Sequence, residues 1–347
     1  MRRVESLDIL RAFAALSVFF YHIDVVGNNP FSGFLNFGGI GVDLFFVLSG
    51  FFIGLSVIRQ KEWCLRNFCR RRFLRIAPAY YVSILLMIAF VTPPYLNSAV
   101  GFFDIFSHVT FLHSLNYSTH GSLNGSYWSL GIEVYFYIIM ALSAPLIRNK
   151  VWIVKVLFVW IALAWLWRYC VSTLSIEPIY KFIWSSQLPG MLDQFAFGII
   201  IAWILNNDKL KQAIEKKITF FLAGPLSIFC LVIYLPMQGD SMYWSDWKIL
   251  VFGKAMLGFS FAVLIIAFIS FSHMDKLNRI AYYTGVPFIG KVSYSLYLYH
   301  LPIIVSMKNV GILNVGDIFS GVICLVVCLL VSSVSYYFIE KRFYNHC

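Results

Sequence analysis

The sequence predicts an all-α protein, a polytopic transmembrane helix bundle of about ten spans with both termini cytoplasmic. Three observations carry that prediction. Hydrophobic residues fill 60% of the 347 positions and charged residues only 12%, whereas a soluble domain needs roughly a quarter charged residues to cover its surface. Apolar runs long enough to cross a bilayer recur along the whole chain. The Lys and Arg residues collect at alternate ends of those runs, as they do when positively charged loops stay inside.

Taken in order, the first helix is expected at 7–26. No small-residue cleavage site follows its apolar stretch, so it should remain as a signal anchor. The second and third, at 40–58 and 76–94, flank the densest basic segment of the chain, Arg59 to Arg75. The fourth and fifth are expected at 127–147 and 151–170, the sixth to eighth at 188–205, 218–236 and 249–271, and the last two at 292–308 and 317–339. Short connections leave no room for a separate soluble domain, and no internal repeat is visible. Residues 1–347 are expected to form one integral-membrane domain.

The formal charge of +11 does not point to nucleic acid, because its distribution follows topology. With the N-terminus inside, 21 of the 27 basic residues fall on the inner side. Arg168, Lys181, Lys248 and Lys308 are left outside near membrane level, and Arg11 and Lys254 fall within spans. The outer loop from Tyr95 to Tyr127 holds no Lys or Arg. Its Phe102-Phe103-Asp104-Ile105-Phe106 stretch has the amphipathic, aromatic character of an interfacial segment. The seven cysteines form no CxxC pair and no zinc-like spacing with histidine, so no metal site is predicted.

Ionisable residues inside spans are costly and point to function. Arg11 and His22 are eleven residues apart, close to three helical turns, and so share one face of the first helix about 16 Å apart. Asp8 can pair with Arg11 at i,i+3. In the fourth helix Ser129 and Glu133 share a face at i,i+4, beside Trp128. His300 lies near the middle of the ninth helix, after Tyr297. For His22 the plainer reading is a hydrogen bond to a neighbouring helix, since neutral imidazole is the least costly ionisable group to bury. As a set, these residues suit acid–base chemistry, a proton relay or a transporter's substrate site. Arg71, Arg72 and Arg75 precede the third helix, where guanidinium groups could bind phosphate or could simply fix topology.

Together these landmarks resemble acyltransferase family 3, the bacterial integral-membrane acyltransferases. Arg11 and His22 match that family's Arg-(ten residues)-His signature, and Gly41-Val42-Asp43-Leu44-Phe45-Phe46-Val47-Leu48-Ser49-Gly50 its second-helix segment. Arg72 and Arg75 match its Arg-x-x-Arg element. His113-Ser114-Leu115, Trp128-Ser129-Leu130 with Glu133, Ser293 to His300 with Tyr297, and Ile339-Glu340-Lys341-Arg342 follow in the family's order. Two departures stand out. Met191-Leu192-Asp193-Gln194 lies where the family often has an Arg, and no Pro follows Glu340.

The resemblance implies transfer of an acyl group, typically acetyl, from cytoplasmic acyl-CoA to a carbohydrate hydroxyl on a surface glycan or a lipid-linked precursor. It implies a multi-pass protein of the bacterial inner membrane, bathed in lipid, with acetyl-CoA as co-substrate and no permanently bound cofactor. His22, Glu133 and Arg11 would be catalytic, with His22 as general base or acyl carrier and Glu133 orienting His22 or the acceptor. Arg71, Arg72 and Arg75 would hold the donor. Asp8, Asp43, Ser129, Trp128, His113, Tyr297 and His300 would support them. The Lys/Arg-free loop with His113, His120 and Asn124 is the place expected for acceptor contacts. The rival reading is a transporter or flippase, which would need no acyl-CoA.

Overall fold

A computed structural model describes residues 5–27, 36–91, 97–239, 242–313 and 317–344. Every regular element among them is helical. In chain order the helices are α1 Glu5–Gly27, α2 Ile40–Arg59, α3 Leu65–Leu86, α4 Ala99–Val109, α5 Trp128–Ile147 and α6 Trp152–Thr173. There follow α7 Pro178–Ser185, α8 Leu188–Ile204, α9 Asp208–Ile214, α10 Lys217–Gln238, α11 Lys254–Phe271 and α12 Asp275–Tyr283. The last are α13 Val286–Lys291, α14 Ser293–Asn309, α15 Ile318–Ser335 and α16 Lys341–Tyr344. Five-residue π turns extend α3 (Met87–Val91) and α15 (Tyr336–Glu340) and precede α11 (Ile249–Gly253).

A helix occupies each of the ten expected positions. Eight of those described are long and apolar enough to cross a membrane, and α7 with α8, bent by 48°, would make a ninth. The third helix starts earlier than expected, at Leu65 instead of 76, so Arg70, Arg71, Arg72 and Arg75 lie inside it. The reason is propensity: Arg, Leu and Phe all sustain a helix, and Arg stems can lie along apolar surface while the heads reach water. A hydropathy window sees only the apolar part.

The chain divides into two compact units, neither continuous in sequence. One combines the start of α1 as far as Arg11 with Val42–Trp63 and Ile138–Pro287. Within it α2 and α8 cross at contact distance, which glycine alone permits. A Cβ on Gly50 would sit 2.1 Å from the Phe195 carbonyl oxygen, and one on Gly198 would sit 2.1 Å from that of Val47. Small residues are the usual means of bringing membrane helices this close.

The same unit buries two ion pairs. Lys254 reaches both carboxylate oxygens of Asp43, at 2.8 and 2.9 Å. Arg168 is fully buried. It grips Asp193 with both terminal nitrogens and also donates to the Gly190 carbonyl at 2.7 Å. Desolvating either partner alone would cost several kcal/mol, so a charge placed here needs its counter-charge beside it.

The other unit combines the rest of α1 from Ala12 with Cys64–Tyr137 and the chain from Phe288 onward. Here α14 packs on α15 and α3, and Tyr294 of α14 donates to the Ile76 carbonyl at 2.8 Å. The segment 97–127 belongs to this unit. Its helix α4 exposes Phe102, Phe103 and Phe106 and buries Gly101, Asp104, Ser107 and His108. That inside-out polarity suits a helix lying at a lipid boundary.

Candidate active site

In the second unit, His22 of α1 meets His300 of α14. The Nε2 of His300 lies 3.1 Å from Nδ1 of His22, and the ring centroids are 4.9 Å apart. Both tautomers follow from the surrounding acceptors. His300 Nδ1 faces the carbonyls of Tyr297 at 2.9 Å and Leu296 at 3.1 Å. Carbonyls only accept, so Nδ1 carries the proton, and Nε2 of the neutral ring is an acceptor. His22 Nδ1 in turn faces the Val18 carbonyl at 3.0 Å as well as His300 Nε2. It must donate, which leaves His22 Nε2 with a free lone pair. An imidazole fixed in one tautomer with its far nitrogen unprotonated is arranged to take a proton.

The helix carrying His300 is broken open nearby. Pro302 has no N–H, so the Leu298 carbonyl four residues earlier loses its helical partner. Asn124 supplies the replacement, its Nδ2 donating to Leu298 at 3.1 Å. Asn124 Oδ1 accepts from the backbone and side chain of Ser126 at 3.0 and 2.8 Å. From there the network reaches Tyr297, whose hydroxyl lies 2.8 Å from the Ser126 carbonyl and 2.6 Å from Ser129 Oγ. His22, His300, Tyr297 and Ser129 are thus joined by successive contacts.

Glu133 lies on α5. It accepts from the Tyr137 hydroxyl at 2.6 Å, four residues along α5. The hydrogen bonds given to the His22 ring among the described residues run to the Val18 carbonyl and to His300. The guanidinium of Arg72 lies over the rings of Phe68 at 5.4 Å and Tyr137 at 5.9 Å. Arg72 and Arg75 are about 60° apart around α3, whereas Arg71 points about 100° away from Arg72. Nearby, the π turn after α15 brings buried Glu340 onto Ser295 Oγ, which also bonds Ser335 Oγ at 2.8 Å. Such one-turn bulges often redirect a functional side chain.

The loop residues expected near an acceptor are buried and bonded within the protein. His113, His120 and Asn124 are 0%, 4% and 3% exposed. His113 Nε2 donates to the Tyr127 carbonyl at 2.9 Å, and His120 Nδ1 to that of Ser114 at 3.1 Å. His120 stacks on Trp128, and His113 on His108 with centroids 4.3 Å apart. Burial first, then the neighbouring His108, pushes His113 down to about 3. Burial lowers His120 as well.

In the first unit Asp8 accepts from Arg11 at 2.8 Å, and the Arg11 guanidinium lies 4.2 Å from the Phe52 ring centre. Asp43 is held by Lys254. Sequence reasoning noted Lys254 and Arg168 as cations near or in spans but missed their partners. The signal was present as two intramembrane acids, Asp43 and Asp193, with two cations to match.

The model of the acyltransferase domain family matches residues 4–337. The chain belongs to that family. It is 27% identical to the peptidoglycan O-acetyltransferase OatA of Listeria monocytogenes over 97% of this chain and 55% of that protein. It is also 27% identical to the O-acetyltransferase OatA of Staphylococcus aureus, over 98% of this chain and 57% of that protein. A putative membrane-bound transacylase of Komagataeibacter xylinus is 28% identical over 98% of this chain and 82% of its own length. The chain therefore spans little more than half of the first two relatives. No solved structure matches it.

Proposed function

We propose that this membrane acyltransferase moves an acetyl group from cytoplasmic acetyl-CoA to a hydroxyl of a cell-surface carbohydrate, from a bacterial inner membrane. The observation that carries the reading is His22, locked by Val18 and His300 so that its Nε2 is a base. The acceptor hydroxyl gives its proton to that nitrogen while its oxygen attacks the thioester carbonyl. The tetrahedral oxyanion then collapses, the C–S bond breaks, and the CoA sulfur takes the proton back from His22. As His22 becomes cationic, its Nδ1–H bond to His300 strengthens.

The hydroxyls of Ser129 and Tyr297 are the proposed oxyanion donors. Arg72 and Arg75 are proposed to hold the donor's phosphates, with guanidinium geometry suited to them. Arg11, on the same helix as His22, keeps its proposed role from the family spacing alone. The names of the relatives make peptidoglycan one acceptor to test beside O-antigen, capsule and exopolysaccharide.

The test compares wild type with His22→Ala at matched membrane levels, reading alkali-labile acetate on wall and surface glycan fractions. Ester acetate that appears with wild type and vanishes with the variant is expected. Equal acetate in both would remove His22 from the chemistry. Purified protein that consumes no acetyl-CoA in the presence of any of these glycans would favour the transporter reading.

A further inference from the structure

A second binding site lies away from the histidine pair, wholly within the first unit. A cavity of about 210 Å³ opens where the ends of α2, α5 and α8 meet the starts of α6 and α9. Its walls are aliphatic, with Ile58, Ile147, Ile153 and Ile204 among them, and Trp203 stands at 37% exposure beside it. The charged side chains lining it are Arg148 and Lys150, and no carboxylate lines it. The Asn207 side-chain oxygen is already committed to the backbone N–H groups of Lys209 and Leu210, which leaves its amide end as a donor.

Arg148 is fixed in place. Its terminal nitrogens donate to the carbonyls of Val57, Gln60 and Lys61 at 3.2, 2.6 and 3.0 Å. The positive charge is therefore held at the helix ends while exposed Lys150 remains free to move. Apolar walls with two cations and an amide donor, at the boundary where spans end, suit an anion that carries a hydrocarbon tail. A soluble phosphate would not use the isoleucines. A whole nucleotide cofactor would need a larger pocket, since ligands of that size occupy about 300 Å³ or more. Basic pockets among helix ends are a known way of holding anionic lipid headgroups.

We infer that this cavity binds the phosphodiester headgroup of an anionic phospholipid, of the phosphatidylglycerol class, with Arg148 and Lys150 on the phosphate and an acyl chain along Ile204 and Trp203. The inference does not depend on the acyl-transfer reading, because its readout is retained lipid. The full-length protein in nanodiscs of mixed phosphatidylglycerol and phosphatidylcholine would be released into detergent and examined by native mass spectrometry. Two cations at about fivefold each predict roughly a twenty-fivefold preference for the anionic lipid. Lys150→Glu should bring it close to parity, and Lys150 is exposed enough that the variant should fold. Trp203→Ala tests the chain contact separately and should lower retention of both lipids. Equal retention of the two lipids by wild type, or an unchanged ratio in Lys150→Glu, would overturn the inference. So would full displacement of the lipid by inorganic phosphate alone, which would make the site one for a soluble anion.

Discussion

His300 acts on the proposed chemistry only through His22. Its Nε2 accepts from His22 Nδ1 and thereby holds the proton on the side away from the reacting oxygen. Replacing it with Leu removes that acceptor, and the His22 ring can then rotate or change tautomer. A loss of roughly a hundredfold in kcat is expected with KM for acetyl-CoA little changed, in line with what mis-set tautomers and lost orienting partners cost elsewhere. His300→Gln keeps an acceptor oxygen and should recover part of the loss. A merely structural role would make the two variants equally impaired, so similar kcat values for Leu and Gln would refute the positioning role. Each histidine was legible in the sequence as a costly intramembrane group, but their pairing was not. They are 278 residues apart, and nothing in local periodicity links the first helix to the ninth. For Glu133 a shared face with Ser129 was legible but its bond to Tyr137 was not, because a face within α5 says nothing about what that face meets.

At the level of elements, α14 is a helix that relies on another segment to complete its hydrogen bonds. Pro302 orphans the Leu298 carbonyl, and Asn124 of the outer loop satisfies it. Asn124→Leu should therefore destabilise the protein by at least about 1–3 kcal/mol, the cost of a buried unsatisfied carbonyl, because the Ser126 donors lose their acceptor as well. Adding Pro302→Ala restores an N–H in the helix, so the double variant should regain the Leu298 part of the thermal midpoint lost by Asn124→Leu. Strict additivity of the two changes would show that the proline and the asparagine are uncoupled. The loop itself should respond to acid. His113 is held neutral in the folded loop, with its value pushed from 6.5 down to about 3. Between those values the unfolded segment binds a proton that the folded one refuses, so loop stability is complete above about pH 6.5 and is lost as pH falls toward 3. Amide exchange over residues 110–127 should be faster at pH 5 than at pH 7.5 once corrected for intrinsic rates, and His113→Gln should flatten that difference. The sequence showed this segment as an interfacial, cation-free loop. It did not show that its histidines face inward, because exposure of a loop side chain depends on what the loop folds over.

For the whole molecule, membrane orientation decides whether the proposed donor can reach its site. Lys and Arg counts place Arg66 to Arg75 inside and the loop from Tyr95 to Tyr127 outside. The location of the spans was legible because hydropathy is a local property. What sits within them was less so, as buried Arg168 shows: its pairing with Asp193 was not legible. The expected balance rests mainly on α3, which alone carries Arg66, Arg70, Arg71, Arg72 and Arg75. Cys69 is an exposed native reporter in the middle of that cluster, and Ser118 is an exposed position in the outer loop. In a variant keeping only Cys69, a membrane-impermeant maleimide should label spheroplasts only after permeabilisation. In one carrying only Ser118→Cys, it should label them intact. The consequence is chemical as well as topological. Acetyl-CoA is confined to the cytoplasm, so Arg72 and Arg75 can hold its phosphates only if α3 begins on that side. Labelling of Cys69 in intact spheroplasts would invert the topology and remove the donor from these arginines, even with the family assignment intact.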